Sequence, residues 1–151
     1  MELLWTRLEK ESGHDAAYRL LAQLVSPLPE ICKTDLGKPY FASGNLHFSI
    51  SHSQNHAFCA VSHKNLGIDA EEMTRNVDLG LAKRILSPAE MRRFEAAEDK
   101  RAALLRLWVL KEAYGKLIGK GWGNYLRQTD FDPNDPRIQI IDGCYVAVLE
   151  E

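Results

Sequence analysis

Hydrophobic and polar positions alternate along this chain with two different periods, and the switches between them mark its elements. From His14 the apolar positions Ala17, Leu20, Leu21, Leu24 and Val25 recur at helical spacing, with Asp15 able to cap the start and Pro27 closing the end. The first twelve residues show neither period. Leu46 to Ser51 alternates strictly, Leu46, Phe48 and Ile50 pointing one way and His47, Ser49 and Ser51 the other, which predicts a half-buried strand. Ala57 to Ser62 is almost continuously apolar and predicts a strand covered on both faces. Leu66 to Glu71 alternates again, with Leu66, Ile68 and Ala70 opposed to Gly67, Asp69 and Glu71.

Helical spacing returns over Asn76 to Arg84 and over Pro88 to Ala97, the second with Ser87 as cap and Glu90 three residues on. The longest helix starts at Asp99 and ends near Gly119 to Gly123. Leu104, Leu107, Trp108, Tyr114 and Ile118 cover one face of it, and Val109, Leu110, Ala113 and Leu117 most of the other. A helix apolar nearly all round is a buried one. Asp132 to Asp135 is a turn, and Arg137 to Ile141 with Cys144 to Leu149 form a hairpin across Asp142-Gly143. Pro27, Pro29, Gly37 and Pro39 mark an irregular connection up to Gly44, within which Lys38, preceding a proline, is extended. Helix then strands, followed by helices then strands, predicts an α+β fold of two packed lobes, about 1–65 and 66–151, in a single domain 1–151.

The chain of 151 residues is long enough to bury most of its apolar surface as one domain. A net charge of -2 gives no overall positive field for nucleic acid or for an anionic membrane, while leaving room for a local basic pocket. Cys32, Cys59 and Cys144 are odd in number and far apart, which favours reduced core thiols and a cytoplasmic setting. Glu2 precedes the few apolar residues at the N-terminus, so no secretory leader is read there, and no run approaches a membrane span.

The candidate chemistry lies where charge interrupts the buried pattern. Asp69 and Glu71 project side by side from one strand face, and two carboxylates a few ångströms apart repel by roughly 3 to 4 kcal/mol at an effective dielectric near 20. Glu112 and Lys116, one turn apart on the buried helix, and Lys111 beside them also need partners. A hard divalent cation resolves such crowding, and oxygen-only ligands point to magnesium rather than zinc. The alternative is that Asp69 and Glu71 are solvated on the outer face of an edge strand. His52 shares the parity of Ile50 and is expected at the strand's end on the core side; it is either a hydrogen-bonded core histidine or, with Ser51 and Ser53, a donor cluster for a phosphate. Arg19, near the edge of the first helix's apolar face, is either a solvated charge or a ligand for an anion.

Gly67 to Glu71 (GIDAE), Trp108 to Lys116 (WVLKEAYGK), Gly37 to Pro39 (GKP) and Ser49 to Ser53 (SISHS) together resemble the 4′-phosphopantetheinyl transferase superfamily, Sfp-type, over about Arg19 to Gly121. The resemblance implies a fold of two pseudo-twofold lobes, each a helix on a small antiparallel sheet. It implies transfer of the phosphopantetheine arm of coenzyme A to a serine of an acyl, polyketide or peptidyl carrier protein, with 3′,5′-adenosine bisphosphate released. Fatty acid, polyketide and nonribosomal peptide synthesis are the settings such carriers serve. By the same resemblance Asp69, Glu71 and Glu112 are magnesium ligands, Glu112 and Lys116 are catalytic, and Arg19, Lys38, Pro39, Ser51, His52 and Lys111 contact coenzyme A. The chain is shorter than typical members, with little sequence ahead of the first helix, where the family supplies further basic residues. Weaker coenzyme A binding or dependence on a second chain would follow. Two other functions fit the same residues: a non-catalytic binder of coenzyme A or carrier protein, and a magnesium-dependent phosphohydrolase.

Overall fold

Seven consecutive buried residues, His56–Ser62, form the strand about which the chain is layered. The structure, a computed structural model, describes residues 1–121 and 123–151. In chain order the elements are β1 (Glu2–Arg7), α1 (Gly13–Leu24), β2 (Ile31–Lys33), β3 (Pro39–Phe41), β4 (His47–His52), β5 (His56–Ser62) and β6 (Leu66–Glu72). There follow a 3-10 turn at Leu79–Leu81, α2 (Ala82–Ile85), α3 (Pro88–Ala96), α4 (Lys100–Ile118), a second 3-10 turn at Asn124–Gln128, β7 (Ile138–Ile141) and β8 (Cys144–Glu150). The fold is α+β, with two antiparallel three-stranded sheets in the orders β1-β5-β4 and β6-β8-β7, and a small hairpin β2-β3.

The layering follows from the period of two in β5. Ala57, Cys59 and Val61 pack under Ala16, Ala17, Leu20 and Leu21 of α1, while Phe58 and Ala60 pack on Leu66, Ile68, Ala70, Val146 and Val148 of the other sheet. On the far side of that second sheet, Tyr145, Ala147 and Leu149 meet Leu105, Val109, Leu110 and Ala113 of α4. The result is helix, sheet, sheet, helix. The opposite face of α4, through Leu104 and Leu107, is covered by Ala82, Ile85, Leu86, Phe94 and Leu126. Leu104, Leu105, Leu107 and Leu110 are fully buried. At about 1.5–3 kcal/mol each, these four alone contribute gross burial energy comparable to the net stability of a domain, so a change that lifts α4 unfolds the molecule.

Local sequence accounts for the ends of these elements. Asp99 caps α4, accepting from the Ala102 amide, and Gly119 closes it at φ 73°, a left-handed value that favours glycine. The capping box of α3 is present, with Ser87 and Glu90 each accepting from the other's backbone. The hairpin β7-β8 turns at Asp142 and Gly143, both at positive φ.

Four features of the secondary structure go beyond or differ from the sequence pattern. β1 carries no visible alternation because its adjacent leucines serve different layers, Leu3 facing the inter-sheet core and Leu4 the core under α1. The proline-rich connection contains the short hairpin β2-β3, whose three-residue strands are too brief to show a period. Residues 76–84 form a 3-10 turn capped by Asp78 and the four-residue α2 rather than one helix. Ser12, not Asp15, caps α1, its hydroxyl accepting from the Asp15 amide at 3.1 Å. Among the described residues no helix is long and apolar enough to cross a membrane.

Candidate active site

The edge strands β4 and β6 do not join their sheets through backbone pairing; serines bridge them. Ser49 and Ser51 lie on the inner face of β4, where the Ile68 amide donates to Ser49 Oγ and the Ala70 amide to Ser51 Oγ, both at 3.1 Å. The polar parity of β4 is therefore buried, at the seam between the sheets. Ser51 Oγ in turn donates to Asp69 Oδ1 at 3.2 Å.

Gly67 lets α4 lie directly on β6. A Cβ at this position would stand 2.0 Å from the Ala113 carbonyl oxygen and 2.5 Å from the Leu117 amide nitrogen, both backbone atoms. From that contact the strand's period of two carries Asp69 and Glu71 along the face turned to α4, and the helical spacing of four puts Glu112 and Lys116 on the face turned to β6. Lys116 spends all three N–H donors across the seam: Nζ donates to the carbonyls of Ile50 (3.2 Å) and Ile68 (2.9 Å) and to Asp69 Oδ1 (3.0 Å).

Asp69 is only 7 % exposed, so β4 and α4 cover what an edge strand would have left in water. Its Oδ2 is buried and has no hydrogen-bond partner among the described residues. A buried carboxylate oxygen without a donor is costly and calls for a ligand. The neighbouring carboxyls register the same crowding. Burial first, then the Asp69 charge, pushes Glu112 up to about 7, against the opposing pull of Lys116. Burial and Asp69 also raise Glu71, which Arg75 opposes through an ion pair one turn along the chain. Three neighbouring carboxylates, one of them with an orphaned buried oxygen, fit a hard divalent cation. Their oxygens are not drawn tightly together, however. Among the described residues, the one group of three potential ligand atoms all within 4.8 Å of one another is His56, Glu72 and Cys144.

Two cavities flank this row. One of about 350 Å³ runs from Lys116 to the β2-β3 hairpin; Lys33, Lys38, Lys116 and Lys120 line it, and none of its lining residues is acidic. A chain with net charge -2 thus keeps a positive cleft. The other, about 510 Å³, is polar and is lined by His52, Ser53, Glu71, Glu72 and Arg75 among others.

The sequence-derived candidates divide on this geometry. Asp69 pairs with Lys116 and its charge is felt by Glu71 and Glu112, so the four share one neighbourhood, with Lys38 and Pro39 on the cavity wall beside Lys116. The Lys38 ammonium donates to Asn65 Oδ1 (2.7 Å) and to the Leu117 carbonyl (2.8 Å), satisfying the end of α4, and burial holds it below its usual range. His52 is exposed rather than on the core side, and sits so close to Gly13 that a Cβ there would be 2.6 Å from the His52 Cβ. Arg19 pairs with Glu11 on the surface and lines neither cavity. Lys111 does not reach the cleft. It and Glu90 are both 0 % exposed and meet at 2.6 Å, and Lys111 Nζ also donates to the Leu126 carbonyl and to Thr129 Oγ1 at 2.9 Å.

From sequence Glu90 reads only as part of the α3 cap and Lys111 has no visible partner; the available signal is that Glu90 is the single carboxylate in the first turn of α3. Lys111→Met leaves Glu90 buried and uncompensated, and we expect it to cost about 3–5 kcal/mol in urea unfolding, with part recovered by adding Glu90→Gln. Unchanged stability with weakened anion binding would return Lys111 to the ligand set.

Comparison with known proteins follows the same elements. The family model described as the 4′-phosphopantetheinyl transferase superfamily matches residues 65–144, which contain β6 and α4 whole. A 4′-phosphopantetheinyl transferase of Bacillus subtilis is 39 % identical over 90 residues, covering 58 % of this chain and 40 % of the relative. HetI, a 4′-phosphopantetheinyl transferase of Nostoc, is 42 % identical over 93 residues, 56 % of this chain and 39 % of its own. AcpT of Salmonella typhi, a 4′-phosphopantetheinyl transferase, is 36 % identical over 135 residues, 86 % of this chain and 69 % of its own. The matched region thus spans about two fifths of the first two relatives and over two thirds of the third.

Proposed function

Because this chain belongs to the 4′-phosphopantetheinyl transferase superfamily, we propose that it moves the 4′-phosphopantetheine group of coenzyme A onto a serine hydroxyl of an acyl, polyketide or peptidyl carrier protein. The observation that carries this reading is the row Asp69, Glu71 and Glu112, with the orphaned Asp69 Oδ2, set beside Lys116 at the mouth of a four-lysine cleft. The two helix-on-sheet halves then act as equivalent lobes under an approximate twofold, with the ligand at their seam. Three free cysteines suit a cytoplasmic protein.

Asp69, Glu71 and Glu112 would hold magnesium, which when bound neutralises their mutual repulsion and the charge gathering on a pyrophosphate in transfer. The chain's own groups do the rest. Glu112 accepts the proton of the attacking serine hydroxyl as oxygen bonds to the β-phosphorus. Lys116, fixed by two carbonyls and Asp69, sits where the leaving 3′,5′-adenosine bisphosphate oxygen gains charge. Ser51 orients Asp69 instead of reaching a phosphate, and Lys33, Lys38 and Lys120 supply the positive field that draws the polyphosphate in. Tyr18, Phe48 and Ile50 give the same cleft an apolar wall for the uncharged arm.

The test is mass spectrometry of an apo carrier protein incubated with coenzyme A, magnesium and this chain. A mass gain of one phosphopantetheine on the carrier is expected, dependent on magnesium. Release of bisphosphate without carrier would point to hydrolysis, and no product in any arm would remove the catalytic reading.

A further inference from the structure

On the other side of β6, away from the acidic row, a second group of donors converges. Glu72 ends β6 and Cys144 begins β8, directly paired in register, and His56 begins β5 in the other sheet. Because successive residues of a strand face opposite ways, Glu72 turns from the face that carries Glu71. His56 Nδ1 lies 3.0 Å from Glu72 Oε1 and 3.4 Å from Cys144 Sγ. The other ring nitrogen, Nε2, lies 2.8 Å from Asp142 Oδ2, and Asp142 is gripped by Arg7 through Nε at 2.6 Å and Nη2 at 2.7 Å.

We propose that His56, Glu72 and Cys144 bind a thiophilic divalent cation of the zinc class, tying β5 of one sheet to β6 and β8 of the other. One nitrogen, one oxygen and one sulfur form a donor set for zinc and a poor one for magnesium. Ligand atoms on a tetrahedron around zinc stand roughly 3.3–3.8 Å apart, within a few tenths of an ångström of the two separations from Nδ1, and all three donor atoms lie within 4.8 Å of one another. The Asp142 carboxylate on the far ring nitrogen is the outer partner that fixes the orientation of a ligating imidazole. Ser53 Oγ, 2.6 Å from Glu72 Oε1, or a water from the polar cavity lined by Ser53, Asn55 and Glu72 completes the fourth position, and that cavity gives the ion its path in. Binding replaces the Nδ1 proton of His56 and the thiol proton of Cys144, and both leave to solvent. Without an ion the same groups form a satisfied hydrogen-bond cluster, with Glu72 also accepting from the Asn55 amide at 2.8 Å.

The experiment is a cobalt titration of the metal-stripped full chain under reducing conditions, read by thiolate-to-cobalt charge-transfer absorption and by displacement with zinc. The charge-transfer band is expected to reach the intensity of one thiolate-bound cobalt per chain in the wild type and in Cys32→Ser, whatever further cobalt the carboxylate row takes up without such a band, and no band is expected in Cys144→Ser. Asp142→Asn, which keeps a residue tolerant of the positive φ of 46°, should bind cobalt about 10–100-fold more weakly. That variant keeps the test decisive if Cys144→Ser does not fold. Absence of the band in the wild type, its loss in Cys32→Ser instead, or unchanged affinity in Asp142→Asn would overturn the site.

Discussion

Gly67→Ala is expected to abolish carrier modification and to destabilise the chain by at least about 3 kcal/mol in denaturant unfolding. The added methyl meets the Ala113 carbonyl and the Leu117 amide of α4, and neither backbone atom can rotate aside as a side-chain tip could. Relief requires α4 to lift from β6. That movement parts Glu112 and Lys116 from Asp69 and opens the layer in which Leu105, Val109 and Leu110 are buried. Activity and stability should therefore fall together, and a stable, active Gly67→Ala protein would show that α4 is not seated on this strand.

Glu112→Gln should separate the two effects. Transfer is expected to fall by a factor on the order of 10²–10⁴, the usual contribution of a positioned general base, while the fold is kept. Burial and the nearby Asp69 charge push the Glu112 carboxyl up to about 7, so the folded chain favours its neutral form. The stability this gives is fully present below the unfolded value of 4.5 and is lost as pH rises through about 7. In chelator, the wild type should melt lower at pH 8 than at pH 5 by more than Glu112→Gln does, and magnesium should narrow the gap at pH 8. Parallel melting profiles for the two proteins would mean that neither burial nor Asp69 raises the Glu112 carboxyl.

Much of this arrangement is legible in the sequence because it is local. The alternation of LGIDAE fixes which carboxylates share a face, and the nearly uniform apolarity of α4 marks it as interior. The same is true of the Asp142-Gly143 turn and the Ser87 capping box. What the sequence conceals is pairing across distance. Ser49 and Ser51 read as the solvent face of a half-buried strand, yet they satisfy amides of a strand 19 residues away. Lys111 reads as a cation aimed at a ligand because Glu90, its buried counter-ion, lies on another helix. Parity predicts His52 inside, but β4 ends at that residue and the chain turns away, leaving it exposed beside Gly13.

Asp69, Glu71 and Glu112 are predicted to serve one hard cation between β6 and α4. Manganese standing in for magnesium, with the unbound ion counted by electron paramagnetic resonance in the presence of coenzyme A, tests it most directly. One ion per wild-type chain is predicted, with affinity weakened more than about tenfold in Asp69→Asn. Equal affinity in Asp69→Asn, or no ion held by the wild type, would contradict it.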